Sequence, residues 1–374
     1  MTRRDLLKLS AATAAAAAFR SRASASTLYS MPGLFPGRVV AVKHSGASVN
    51  LVQQTGPIQL MVRSGIMALT GQSTYIAGWR KLFQPGDVVA IKINPSWYPQ
   101  TSTSPALLTE VISGLTLAGV APKNIVVYER YEYLLGFVRP YLPAWVATAF
   151  AAPGYGYDDQ TPLFQGLTNT LGYDPQYYID LPQYLKPWQS PSNPDDTRSH
   201  VAKILTSVAT KIISLAQLKD HQASGVTLNL KNLTAGCVNN WNRFHDDGIN
   251  ALDPVIPVVL SLPVLRNKVT LGMIDGVHCL CNGGPLNYAD PSYGFVSATD
   301  TILMATDIVA ADRVGWVMID AERAKKGLPP EAVAGNDSYD LYADREVGHI
   351  TTAGQMGLGE WRDDHIDLRT VTLA

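Results

Sequence analysis

The sequence predicts an α/β fold: a mainly parallel sheet flanked by helices, with a Tyr/Pro-rich insertion. Three observations carry this. Short apolar runs alternate with stretches of helical periodicity. The stretch from Val88 to Tyr128 reads as strand, helix, strand. Residues 131–200 then break the rhythm, holding 9 of the 17 Tyr and 9 of the 24 Pro. Strands joined through a helix pair in parallel, because the crossover returns the chain to the same edge direction.

The elements follow in order. Val39 to Lys43 is an apolar run, the first strand. Residues 58–70 suggest a helix that ends at Gly71, with Gly78 and Trp79 beyond. Pro85-Gly86-Asp87 is a turn, Val88 to Ile93 a strand, and Asn94-Pro95 its stop. Ser104 and Pro105 then open a helix, Ser as N-cap and Pro in the first turn. Its Leu107, Leu108, Val111, Ile112 and Leu115 recur at helical spacing, and Gly119 ends it. Asn124 to Tyr128 is the next strand. After the insertion, strands are expected at Lys211–Leu215, Val269–Ile274 and Thr301–Thr306, and a helix from about Ile308 to Lys326. The 131–200 segment reads either as a surface insertion packed by its own aromatics or as an aromatic lid over a site.

Composition narrows the function. The chain has 374 residues, 46% hydrophobic and only 16% charged, with 30 Lys+Arg against 31 Asp+Glu. That excludes a largely disordered chain and a strongly basic nucleic-acid binder. Residues 1–25 read as an export signal. Arg3-Arg4 precedes Leu6-Leu7-Lys8, a mild alanine-rich stretch runs from Leu9 to Phe19, and Ala23-Ser24-Ala25 supplies a cleavage site. The arginine pair resembles a twin-arginine signal. The apolar run is shorter than the ~20 residues that span a bilayer, so no transmembrane span is expected in the mature chain. Removing this leader takes away five basic residues and one acidic one, leaving 349 residues with 25 basic and 30 acidic side chains. Residues 26–374 are then expected to form a single α/β domain, periplasmic or secreted, whose partners are the twin-arginine translocation machinery and a small-molecule ligand.

Familiar motifs are missing. There is no phosphate-binding loop, no Gly-x-Ser-x-Gly elbow, no His-Glu-x-x-His and no ferredoxin-type Cys run. Gly154-Tyr155-Gly156 lacks the third glycine of a dinucleotide turn. What remains is a set of polar residues where strands are expected to end. In parallel sheets ligands bind outside the carboxyl ends of strands. Lys92 and Asn94 follow one strand, Glu129 and Arg130 another, and Lys219-Asp220-His221 a third; Lys231-Asn232 lies ten residues later. Asp275 and Asp307 close two more. Lys92, Asn94, Lys219, Lys231 and Asn232 suit an anionic substrate. His221, His245 and Asp275 suit acid–base work. Glu129 and Asp307 are candidates for a divalent metal. Gly283-Gly284-Pro285 favours a tight turn whose backbone N–H groups would receive an anion. For Cys237, Cys279 and Cys281, a disulfide through Cys237, buried free thiols and metal ligation all stay open.

These segments, in this order, resemble the family catalogued as domain of unknown function 362. The resemblance rests on Val89-Ala90-Ile91-Lys92-Ile93-Asn94, on Ser104-Pro105 with Gly119, and on the strand to Glu129. Leu218-Lys219-Asp220-His221, Gly225-Val226-Thr227, Leu230-Lys231-Asn232, Asp275-Gly276, Gly283-Gly284-Pro285 and Thr306–Asp312 continue it. It covers roughly 85–130 and 205–320 and implies an α/β fold with no assigned activity. Some members carry an iron–sulfur module, for which this chain has no Cys run, and many have Lys-Thr-His where this one has Lys219-Asp220-His221. Three readings compete: an exported enzyme acting on a small anionic substrate with metal assistance, a non-catalytic periplasmic binding or cofactor-handling protein, and a structural-interaction role should the strand-end residues fail to converge. Convergence of Lys92, Lys219, His221, Lys231 and Asp275 in one cleft would support a site of either kind.

Overall fold

A computed structural model describes residues 30–96, 101–154, 172–245, 250–284, 295–332 and 347–374. The expected leader, Tyr155, Gly156 and Pro285 lie outside the described residues.

The main sheet is built from β1 (Arg38–His44), β2 (Val89–Lys92), β3 (Ile125–Tyr131), β4 (Ala147–Ala152), β5 (Lys211–His221), β6 (Val269–Leu280), β7 (Val296–Ala305) and β8 (Asp367–Leu373). Its order is β8-β1-β7-β6-β5-β2-β3-β4, with the short strand Gly225–Val226 added to β5. Pairing is parallel from β6 through β5, β2 and β3 to β4, and between β1 and β8. β7 runs antiparallel to both β1 and β6. The fold is therefore α/β with a mostly parallel sheet, as expected.

Alternation along the strands divides two apolar layers. Ile91, Val127, Ile213 and Leu215 face one layer, with α1 (Thr55–Thr70), α2 (Tyr75–Leu82) and α3 (Pro105–Ala118). Ala90, Val126, Tyr128, Ile212 and Ala216 face the other, with α4 (Leu228–Ala235), α5 (Leu252–Leu260) and α6 (Ile308–Lys325). The last helix, α7 (Gly348–Gln355), packs on α5. Strands buried on both faces read as continuous apolar runs, which is why they stood out in the sequence.

The β2-α3-β3 unit forms as its residues dictate. Ser104 Oγ accepts the Leu107 N–H at 3.1 Å, a cap whose loss costs about 1 kcal/mol. At the other end Gly119 adopts φ +101°, a left-handed turn open to glycine.

Some boundaries differ from expectation. β5 continues to His221, so Lys219-Asp220-His221 lies in the strand rather than after it. β6 likewise runs on to Leu280 and places Asp275 inside it. Polar residues suggested strand ends, but they stay in the sheet because neighbouring strands satisfy their backbone groups. Within 131–200, β4 joins the sheet edge, and Tyr173–Asp180 pairs antiparallel with Arg198–Ala202. No helix among the described residues is long and apolar enough to cross a membrane.

Candidate functional site

β3 lies on one side of β2 and β5 on the other, and their connecting helices cover opposite faces. Strand order therefore reverses at β2, the place where open α/β sheets form a crevice. A cleft of about 140 Å³ opens there. Lys92, Asn94 and Ser96 line it from β2 and its exit, and Glu129, Arg130 and Tyr131 from the end of β3. Lys219 and His221 come from β5, and Thr227, Lys231, Asn232 and Gly236 from α4 and its flanks.

The pairing inside the cleft is specific. Lys92 Nζ donates to Glu129 Oε2 at 2.8 Å and Oε1 at 2.9 Å, to Ile93 O at 2.6 Å and to Asn232 Oδ1 at 3.1 Å. Asn232 Nδ2 in turn donates to Ser214 Oγ at 3.1 Å. Lys92, Glu129 and Asn232 thus hold one another. Gly236 makes this possible: a Cβ there would lie 2.1 Å from Lys92 Cε.

Lys219 is placed differently. Alternation puts Lys219 and His221 on one face of β5 and Asp220 on the other. Lys219 is 1% exposed, and the hydrogen-bond partner of its amine is the neutral Asn94 Oδ1 at 3.2 Å. Among the described residues no carboxylate lies within ion-pair distance of it. Burial, reinforced by the charge of Lys92, pushes Lys219 down to about 7, while Asp220 and Glu129 pull the other way. Asp220 Oδ1 accepts the Gly284 N–H at 2.8 Å, outside the cleft.

His221 Nδ1 accepts the Ala223 and Ser224 N–H groups at 3.1 and 3.4 Å. Those bonds assign the neutral ring's proton to Nε2, making Nε2–H a donor. The His245 ring stacks on His221 with centroids 5.9 Å apart, and His245 does not itself line the cleft.

Helix α4, which presents Lys231, is fixed at both ends. Asp312 from α6 accepts the Asn229 N–H at 2.9 Å, the Asn229 Nδ2 at 3.0 Å and the Leu230 N–H at 2.7 Å. At the other end Arg130 donates to Ala235 O at 3.0 Å and Tyr128 to Gly236 O at 2.9 Å. These groups satisfy termini that a helix leaves unpaired, and Arg130 complements the negative end of the helix dipole.

Four of the five residues expected to converge, Lys92, Lys219, His221 and Lys231, do so. Asp275 does not line the cleft: its carboxylate accepts the N–H of Ser104, the N-cap residue of α3, at 2.9 Å and the Val277 N–H within β6 at 3.3 Å. Burial raises Asp275 above the usual carboxylate value. Gly283 and Gly284 also fall outside the cleft; the Gly284 N–H is taken by Asp220, and its carbonyl accepts from Gln222 N. Glu129 and Asp307 are not brought together. Asp307 caps α6 through Ala310 N at 3.1 Å, accepts Gly37 N and Glu360 N at 2.9 Å, and borders a separate cavity of about 490 Å³. Among the described residues no group of three or more His, Cys, Asp or Glu could hold a metal ion. Cys237, Cys279 and Cys281 are buried free thiols.

Arg130, which the sequence places at a strand end without a role, is a further cation of the cleft. Its place directly after Glu129 was the available signal, but only the fold shows that it reaches the end of α4.

Searches of curated proteins and of solved structures found no match. A comparison with protein families matches residues 89–317, more than half of the chain, to the domain of unknown function (DUF362). That span contains β2, β3, β5 and α4 and hence the whole cleft, and the chain belongs to this family.

Proposed function

We propose that this chain is an exported protein whose cleft binds a small anionic ligand and performs acid–base chemistry on it. One observation carries the reading: among the described residues, Lys92, Arg130, Lys219 and Lys231 line the cleft together with the carboxylate of Glu129, which Lys92 already engages. These cations draw an anion, and low solvent access strengthens its hold. A volume of about 140 Å³ is well below the ~300–1,000 Å³ of pockets for drug-sized ligands, so the ligand is a small metabolite. His221 Nε2–H serves as donor and acid, and Lys219 as the group that exchanges a proton near neutrality. Metal assistance forms no part of this reading.

Binding without turnover is the second reading. The mutual engagement of Lys92, Glu129 and Asn232, which leaves all three committed, favours it.

Thermal-shift screening of the full chain against small carboxylates and phosphates tests the proposal. A saturable rise in melting temperature that Lys231→Gln removes supports it. No response to any anion at low salt contradicts it. Export is tested separately: fractionated cells should hold the wild-type chain outside the cytoplasm and Arg3→Lys/Arg4→Lys within it.

A further inference from the structure

We propose that Lys219 is a covalent catalytic residue whose amine condenses with the carbonyl group of a 2-oxo acid held in the cleft. This rests on the anion-binding reading and deepens it.

The two lysines on adjacent strands β2 and β5 are chemically distinct. Lys92 donates to both oxygens of Glu129, to Ile93 O and to Asn232 Oδ1, so its donors are in use. Lys219 has the Asn94 amide oxygen as its partner and a wall of the cleft as its position. An amine withdrawn from water beside another cation is the arrangement that frees a lone pair for attack on carbonyls. Its fall to about 7 through burial agrees with that placement.

The step balances with groups present. The neutral Lys219 amine attacks the carbonyl carbon and a C–N bond forms. The C–O bond then breaks, and the oxygen leaves as water with the two protons that the amine gives up. His221 Nε2–H lies on the same face of β5 to assist departure of that oxygen. Arg130 and Lys231 supply the positive charge for the substrate carboxylate. A ligand with carbonyl and carboxylate side by side matches both features, and its size suits the cleft.

The test is reductive trapping. The full chain is incubated with pyruvate, and separately with oxaloacetate and 2-oxoglutarate, in sodium cyanoborohydride near pH 7. Peptide mapping then locates adducts. The expected result with at least one of these acids is modification of Lys219 at least about tenfold faster than of the exposed Lys123. Lys219→Arg should lose that adduct while the same acid still raises its melting temperature. Two results would overturn the proposal: no preferential adduct at Lys219 with any of the three acids, or an equal cleft adduct that persists in Lys219→Arg. If the acids stabilise the wild type without trapping, only the covalent step falls. If no anion stabilises it, the binding reading falls too.

Discussion

Lys92 and Glu129 form an ion pair 2.8 Å long with both side chains withdrawn from solvent, 2% and 5% exposed. The pair joins β2 to β3 at the floor of the cleft, and Asn232 ties it to α4. Removing one partner strands a buried charge. Glu129→Gln is expected to cost about 3–5 kcal/mol in urea unfolding, whereas Lys92→Met combined with Glu129→Leu should cost much less than either single change. Equal costs for single and double variants would contradict a coupled pair.

Lys219 gives stability a pH dependence of defined sign. It sits at about 7 when folded, against an ordinary value of 10.5. Between those values the unfolded chain holds a proton that the folded chain has shed, so stability rises with pH across that window. Below 7 both states are protonated and the contribution is flat. The slope approaches about 1.4 kcal/mol per pH unit for one proton. Lys219→Met should remove that part of the rise in denaturant titrations at several pH values. Lys268, pushed down to about 8 by burial, keeps a smaller rise at higher pH.

Gly236→Ala probes the closeness of α4 to Lys92. The backbone there is ordinary, φ −84°, so a methyl group adds no conformational strain. It would meet Lys92 Cε at 2.1 Å and Nζ at 2.6 Å. Displacing that amine should destabilise the chain by about 1–3 kcal/mol and weaken anion binding. Calorimetric melting together with ligand titration reads both effects.

Asp312 acts at a distance from the cleft. It holds the first turn of α4 through three N–H donors, and burial pushes it up to about 7 despite them. Asp312→Ala leaves those donors buried and unsatisfied, at a cost of about 1–3 kcal/mol each way of counting the lost cap. Amide exchange at Asn229 and Leu230 should accelerate, and the affinity for anions should fall as Lys231 loses its fixed position.

The β2-α3-β3 unit was legible in the sequence because each signal was local: the Pro85-Gly86 turn, the Ser104 cap, the Gly119 stop. The lengths of β5 and β6 were not: Lys219 and Asp275 are polar residues kept in strands by neighbours far along the chain, and His221 by the short return strand at Gly225. Convergence of Lys92, Lys219, His221 and Lys231 followed from the rule that sites gather at the carboxyl ends of parallel strands. The separate fates of Asp275 and Asp307 did not follow from it. Each follows a strand-like run in the sequence, yet each carboxylate meets a helix N-terminus, and backbone N–H groups claim it. The Arg130 contact with Ala235 depends on where α4 ends in space, which no spacing within the sequence reveals.

The proposed cleft holds its anion through its own cations. Isothermal titration of the stabilising ligand into wild type, Lys231→Glu and Lys123→Glu tests it most directly. Lys231 lines the cleft, while Lys123 is exposed and outside its lining. Saturable binding by wild type and Lys123→Glu that weakens with added salt is expected, and its loss in folded Lys231→Glu. Equal affinity in all three proteins would contradict it.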